Sequence, residues 1–498
     1  MSEQWIPDQI TSYINGEWVA PSSLAERIPV LFPGDGRQIS ELIEADAVEV
    51  DQAVQAASDV FASGAWSGAS IQDRKAVLLR IRDGILAHRD ELARLEVMHT
   101  GSPITQARGR HIARTALNFE FFAEFISQVS NPVFDQNPDY LTYVRREPIG
   151  VAGLIAPWNA PLALASMKVA GAIAFGNSCV LKPSELTPLS FVPFLRILKD
   201  AGLPDGVVNL VNGRGPQTGA ALVEHPGVRA VAFTGGTATG RQIGAGAGAS
   251  LKKLVTELGG KSANIIFADA DLDRALDAAL VAIFSNNGQQ CLAGSRILLQ
   301  RSIAAEFRDK FVARTRRLNI GDPLSESTEI GPLISAEQRE RVLNYARLAA
   351  DSDGVEVLCG GSVPDQFESG YYFQPTVVAA DKNSQPICQQ EIFGPFATLL
   401  EFDNFDEAMA IANDTEFGLV SYLWSRDINT VMEASEALRA GMVWVNTPLT
   451  RELRAPFGGF KNSGVGRDGG EWSRALFTEE KTVTIPRRDF PIARFGVQ

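Results

Sequence analysis

At 498 residues the chain is longer than one hydrophobic core usually supports, and its 45% apolar and 21% charged composition predicts two or three folded domains without a long disordered span. A formal charge of −13 argues against affinity for nucleic acid or an anionic membrane, so an anionic ligand would need a local cationic pocket. Four widely spaced cysteines, Cys179, Cys291, Cys359 and Cys388, with no CxxC pair, predict neither a zinc site nor a disulfide framework and suit a reducing, cytoplasmic compartment.

The opening MSEQWIPDQI has no basic stretch followed by an apolar one, so no secretory signal is expected. Helical periodicity is read over roughly the first 130 residues, most clearly from Asp73 to Met98. LTYVRREPIG (Leu141 to Gly150) reads as extended, with Pro148 marking its end. The nearly uncharged run from Ile149 to Leu181 is long enough to cross a bilayer, but Pro157, Asn159, Pro161, Lys168 and Asn177 interrupt it. It reads instead as a strand from Val151 to Ala156, a PWNAP turn, a helix opening at Pro161 and a second strand after Gly176.

Further strand candidates, NSCVLK, VVNLV, RAVAFTG and KLVTEL, alternate with helices as far as Leu258. That alternation predicts a parallel sheet covered by helices, the architecture of dinucleotide-binding domains. FTGGTATG (Phe233 to Gly240) falls between a strand and a helix, where backbone amides can meet a pyrophosphate, although it lacks GxGxxG spacing. GRGPQTG and GAGAGAS read as turns or small-residue packing. A second alternating series runs from Ala263 to about Arg474, with SANIIF, SRILLQ, YYFQPTVV, FATLLEF, VSYLWS and MVWVN as strands. KTVTI (Lys481 to Ile485) is a late strand that pairs either with Leu141 to Val144 or with another subunit.

Within NNGQQCLAGSR (Asn286 to Arg296) one cysteine sits among amides and glycines, between a helical segment ending near Ser285 and the strand SRILLQ. A helix-to-strand loop is where scaffolds display reactive groups, but spacing alone fits a packed cysteine equally well.

PWNAP, FTGGTATG, VTELGGKS and NNGQQC, followed by EIFGPF and PFGGFKNSG, occur in an order that resembles the NAD(P)-dependent aldehyde dehydrogenase superfamily over essentially the whole chain. The resemblance implies an α/β fold in three parts. A Rossmann-type NAD-binding domain would comprise residues 1–128 and 149–259, an α/β catalytic domain residues 260–476, and a small β oligomerisation arm residues 129–148 and 477–498. Relatives use such an arm to form homodimers or homotetramers.

In that family hydride leaves a carbon bearing an oxyanion, so a nucleophile must first add to the carbonyl. Cys291 resembles that nucleophile, Glu257 the general base, and Asn159 the amide that binds the oxyanion with the Cys291 N–H. Lys168 matches a lysine implicated in proton movement. From residues alone, Glu257 could be a solvated carboxylate, Asn159 a turn residue and Lys168 a snorkelling lysine. A thiol hydrolase would need a histidine base, and His88, His99, His111 and His225 all lie outside the motifs.

For the cofactor, Lys182, Ser184 and Glu185 resemble the adenosine-ribose site, and a carboxylate at Glu185 favours the 2′-hydroxyl of NAD over the 2′-phosphate of NADP. Ile155, Pro157, Trp158, Phe233, Thr234, Gly235, Gly236, Thr237 and Leu258 match the rest of the cofactor cleft, and Glu391 and Phe393 the nicotinamide-ribose pair. Two positions depart from the family pattern: Gly236 stands where many relatives have serine, and Asp468 in GRDGG where a glutamate is common.

Substrate positions are read at Arg114, Ala160, Arg451, Arg454 and Phe457, with Ala163 also small. RELRAPFGG with GRDGGEWS resembles the hydroxymuconic semialdehyde dehydrogenases, which implies an aldehyde carrying a remote carboxylate. The alternatives are a neutral aromatic or aliphatic aldehyde, with these arginines solvated or paired to Glu452, and an inactive binding protein on the same fold.

Overall fold

The computed structural model describes residues 6–21, 23, 25–489 and 491–496. Residues 1–5 of the segment read as lacking a leader, and 490, 497 and 498 of the arm segment, lie outside the described residues.

The β-α-β unit read from PWNAP forms as a buried strand Val151–Ile155, a helix Pro161–Ala174 with proline in its first turn, and a second buried strand Ser178–Lys182. No helix among the described residues is long and apolar enough to cross a membrane. The uncharged run is therefore core rather than a span. Strands Val208–Leu210, Val228–Thr234 and Lys253–Glu257 complete five parallel neighbours within an eight-stranded sheet.

Strand order carries the functional consequence. From Val151–Ile155 the chain steps outward through Ser178–Lys182 to Val208–Leu210, then returns to place Val228–Thr234 on the other side of the first strand. Helices leaving these two adjacent strands go to opposite faces of the sheet, which opens a crevice at the carboxyl ends of the strands. PWNAP and FTGGTATG both lie at that crevice.

A second sheet of seven strands is ordered Val355–Cys359, Thr376–Ala380, Phe396–Phe402, Arg296–Gln300, Ala263–Ile266, Val420–Trp424 and Met442–Val445, all parallel except the first. The third sheet pairs Thr478–Pro486 with Tyr140–Pro148 and Val133–Phe134. Its register sets Ile485 opposite Leu141 and Thr482 opposite Val144, so KTVTI finds its partner in its own chain.

Several elements differ from the sequence reading. Among the described residues up to 43 there are five short strands, including Arg27–Leu31 and Gln38–Ile43, where helix was expected. RIPVL alternates exposed and buried residues, a period of two in a segment too short to dominate a helical window. Asp73 to Met98 is two helices, Ile71–Ala87 and Arg89–Thr100, separated at His88, whose ring lies 2.9 Å from the Gly84 carbonyl. Only the last three residues of YYFQPTVV are strand, as the start of Thr376–Ala380, and Val355–Cys359 is an edge strand that was not expected. GRGPQTG winds into a short π-helix at Gly215–Gly219, and GAGAGAS closes the helix Thr237–Ala249.

Candidate active site

Two cavities meet at Asn159 and Cys291. One, about 220 Å³, opens at the sheet crevice and is lined by Pro157, Trp158, Thr234, Gly235, Gly236, Glu257, Leu258, Glu391 and Phe393. The other, about 370 Å³, lies on the opposite side, between the helix Ala113–Phe125 and the loop after Met442–Val445.

The amides around Cys291 are scaffolding. Asn286 and Asn287 adopt left-handed conformations (φ 54° and 56°), which asparagine tolerates better than most residues. Asn286 Nδ2 donates to the Asn159 carbonyl at 2.7 Å, and Asn287 Nδ2 donates to the carbonyls of Gly101 and Pro332. Asn287 Oδ1 accepts from the Gly331 N–H, and Gln289 Oε1 from the Ile334 N–H. Gln290 Nε2 donates to the Ala282 carbonyl. Each amide thus replaces hydrogen bonds that an irregular buried loop would otherwise leave unmade. The half-buried Cys291 is held where the cavities join. Burial, with Glu391 and Glu257 nearby, pushes its thiol up to about 12, against the lowering influence of its own backbone N–H and Arg451.

Asn159 is buried, and its Nδ2 donates to the Gln289 carbonyl at 2.9 Å. A side-chain amide carries two protons, so the other is left for the cavity. Glu257 ends the strand Lys253–Glu257 and is buried rather than solvated, and neither carboxylate oxygen has a hydrogen-bond partner among the described residues. Burial and then Asp468 push it well above the usual carboxylate range, with Lys168, Arg451 and Arg467 opposing. Lys168 does not snorkel: it is buried on the helix Pro161–Ala174, its Nζ 3.5 Å from Asp468 Oδ2.

In the first cavity Trp158 meets Phe393 edge-on at 5.2 Å. Glu391 Oε1 accepts from the Gly260 N–H, and burial pushes its carboxyl up to about 7. Gln338 and Arg341, on the helix Ala336–Asp351, also line this cavity; they donate to the carbonyls of Phe393 and Glu391 and hold the EIFGPF loop. No motif marks them in the sequence.

Ile155 and Phe233 are buried at their strand ends and do not line the cavity. Phe233 packs beneath Gly235, where a Cβ would meet its ring at 2.4 Å. Gly236 caps the helix opened by Thr237 and would admit a serine freely, since no atom lies within 4 Å of a Cβ placed there. Lys182, Ser184 and Glu185 stand at the end of the next strand, beyond the cavity lining. Lys182 Nζ donates to the carbonyls of Pro183 and Gly213 and lies 4.0 Å from the half-buried Glu185.

The second cavity gathers Arg114, Ala160, Ala163, Arg451 and Phe457, together with Arg110. Arg114 Nε donates to Asn118 Oδ1 at 2.9 Å while its Nη2 is buried without a partner among the described residues. Arg451 lies 4.0 Å over the Phe457 ring, with Nε and Nη2 likewise unpartnered. Arg454 is not at this site. Its side chain is 76% exposed and hydrogen-bonded to Glu452 two residues away, because the loop turns it outward.

The model of the aldehyde dehydrogenase family matches residues 18–483. The chain is 42% identical to 2-aminomuconic semialdehyde dehydrogenase of Danio rerio over 482 residues, 96% of this chain and 98% of that protein. It is 42% identical to 5-carboxymethyl-2-hydroxymuconate semialdehyde dehydrogenase of Escherichia coli over 470 residues, 93% and 98% of the two chains. An NAD+ complex of the aldehyde dehydrogenase from Bacillus cereus superposes with a TM-score of 0.95 at 37% identity, covering 98% of each chain. With motif order, sheet topology and full-length similarity in agreement, the chain belongs to the aldehyde dehydrogenase family.

Proposed function

We propose that this aldehyde dehydrogenase oxidises a carboxylate-bearing semialdehyde, of the muconic type produced by aromatic-ring cleavage, to the acid, with NAD as cofactor. The observation that carries the reading is the pair Arg114 and Arg451 in the cavity that ends on Cys291: Arg114 Nη2 and Arg451 Nε and Nη2 are buried there without a hydrogen-bond partner among the described residues. Buried polar groups are normally hydrogen-bonded, and guanidinium pairs bidentately with carboxylate. The muconic semialdehyde names of two relatives support the same substrate class.

The first cavity fits a dinucleotide: it lies at the sheet crevice, against the N-terminus of the helix Thr237–Ala249, and glycines at 235 and 236 keep side chains away from that terminus. Glu391 and Phe393 would hold the nicotinamide end, with Trp158 against Phe393, and Lys182, Ser184 and Glu185 the adenosine ribose. Glu185 supports NAD over NADP. When bound, the cofactor supplies the hydride acceptor.

Cys291 adds to the aldehyde carbon, and Asn159 with the Cys291 N–H stabilises the oxyanion that forms; a donor of this kind is typically worth about 3 to 4 kcal/mol in the transition state. The thiol is too weakly acidic to ionise unaided near neutrality, so Glu257 takes its proton, directly or through water. After hydride leaves, the acyl group remains as a thioester on Cys291. Glu257 passes the thiol proton on, with Lys168 and Asp468 behind it as the route, and, again a carboxylate, deprotonates the water that cleaves the thioester and releases the Cys291 thiolate.

The same reading divides the chain into residues 1–128 with 149–259 for cofactor, 260–476 for catalysis, and 129–148 with 477–498 as an arm joining subunits into a dimer or tetramer. The three sheets support that division, with one exchange: Gly464–Val465 adds to the first sheet. The working compartment would be the reducing cytoplasm.

The test compares kcat/KM for a carboxylate semialdehyde and its neutral counterpart in the wild type, Arg114→Ala and Arg451→Ala. Hydrogen bonds to a charged group are worth about 1.5 to 3 kcal/mol, so the acid should be preferred about ten- to hundredfold and either substitution should erase most of that. Equal use of the neutral aldehyde by the wild type would reject the anionic substrate and leave aldehyde oxidation standing.

A further inference from the structure

Behind the wall of the second cavity lies a buried ionisable cluster that the proposed chemistry does not use. Glu96 and His99 stand one turn apart on the helix Arg89–Thr100, and His111 meets them from a π-helical turn, Ala107–Ile112. Glu96 and His99 are fully buried, while His111 reaches the cavity lining. His99 Nε2 lies 3.8 Å from Glu96 Oε1, and His111 Nδ1 lies 4.0 Å from Glu96 Oε2. Both separations are longer than a normal hydrogen bond.

Two histidines and a carboxylate suggest a metal, but the hydrogen bonding argues against one. His99 Nδ1 accepts from the Leu189 N–H at 3.2 Å, so the ring proton sits on Nε2, the nitrogen that faces Glu96. A metal-binding histidine instead donates through its second nitrogen. Burial holds both rings down, His111 to about 4, so they stay neutral near neutral pH.

The Glu96 carboxylate is answered by helix ends instead. Its Oε1 accepts from the Ser190 hydroxyl at 2.7 Å and from the Leu162 N–H at 3.3 Å. Ser190 opens the helix Phe191–Asp200 without capping it, and its hydroxyl goes to Glu96. Leu162 lies in the first turn of the helix Pro161–Ala174, whose cap residue, Ala160, has no side chain able to accept. Glu96 thus supplies, from another helix, the acceptor that this turn lacks, and its negative charge meets the positive end of the helix.

The same turn carries Asn159. On one side Asn159 is tied to the cysteine loop, its carbonyl accepting from Asn286 Nδ2 and its own Nδ2 donating to the Gln289 carbonyl. On the other side only Ala160 and Pro161 separate it from Leu162, and proline leaves φ little freedom. A shift of the helix end therefore passes to the Asn159 amide, and a misplacement of about 1 Å in such a group can cost about a hundredfold in rate.

We propose that Glu96 is a positioning residue for the oxyanion: by holding Leu162 it aims the Asn159 amide at the carbonyl oxygen of the substrate. This rests on the oxyanion role of Asn159 proposed above and holds whichever aldehyde is oxidised.

The experiment uses the purified full-length enzyme with NAD and two aldehydes, propanal and succinic semialdehyde, and reads the single-turnover rate of NADH formation at saturating aldehyde. Glu96→Met fills the space without an acceptor. It should slow both aldehydes by the same factor, at least about tenfold, with half-saturation and NADH affinity by fluorescence titration within about threefold of the wild type. Glu96→Gln, whose amide oxygen can take both hydrogen bonds, should stay within about threefold of the wild-type rate. Asn159→Ala should lose about a hundredfold or more, and adding Glu96→Met to it should cost less than about twofold further, because the two act through one group. Losses that multiply in the double variant would overturn the proposal. So would a Glu96→Gln enzyme as slow as Glu96→Met, a Glu96→Met enzyme at the wild-type rate, or a loss that differs between the two aldehydes, which would put Glu96 behind the substrate wall through His111. Asn159→Ala at the wild-type rate would instead remove the oxyanion reading itself. If Glu96→Met does not fold, Glu96→Asp, its oxygens withdrawn by one methylene, must show the same non-additive loss on a smaller scale.

Discussion

Burial drives the Cys291 thiol and the Glu257 carboxyl toward their neutral forms, so neither is ionised cheaply, yet the proposed chemistry transfers a proton from one to the other. A base with a raised pKa is lost as pH falls, at values above the ordinary carboxylate range. The kcat/KM profile should therefore show an acid limb well above pH 4.5, and Glu257→Gln should abolish that limb and accumulate an acyl adduct on Cys291 visible by mass spectrometry. Unchanged turnover with the same limb would take Glu257 out of the mechanism. Residue identity was most legible where a motif fixed it. Arg110, Gln338 and Arg341 escaped notice because each is one polar residue on a helix, and only the fold shows whether such a residue meets solvent or a cavity.

Elements carry the site through their ends and their irregularities. The strands closing at Ile155, Thr234 and Glu257 sit side by side in register, Phe233 opposite Ile155 and Thr234 opposite Glu257, which brings three sequence-distant motifs to one edge. That convergence was readable because buried parallel strands announce themselves as apolar runs between helices. The N-terminal strands were not readable: several are two residues long and exist only through their pairing. Gly288 shows what the irregular part demands. Its φ of 71° favours glycine, and a Cβ there would lie 2.2 Å from the Gly394 carbonyl carbon. Gly288→Ala should lower stability by at least about 1 kcal/mol from the backbone alone, more with the overlap, and should displace Cys291. Denaturant unfolding and kcat together check this; wild-type values for both would show that the loop has slack.

At the scale of the whole molecule, the arm remains as open surface. Val133 is 60% exposed, Phe134 49% and Ile485 46%, all on the third sheet. Apolar surface of this kind on a sheet edge invites pairing with a second copy. Light scattering at micromolar concentration should give a dimer or tetramer, and a monomer throughout would leave the arm without that role. Inside the chain, the segment after the strand Met442–Val445 leaves the second sheet, carries Arg451 and Phe457 across the substrate cavity, and joins the first sheet at Gly464–Val465 beside Glu257. Ser463 fastens it at both sides, its Oγ accepting from Gly418 and its carbonyl from Leu258. The wall of the second cavity is thus a strap tied to both large sheets. Arg451 therefore has its place set from both ends of a tether, so its distance from Cys291 is fixed by the spacing of the two sheets as much as by its own loop.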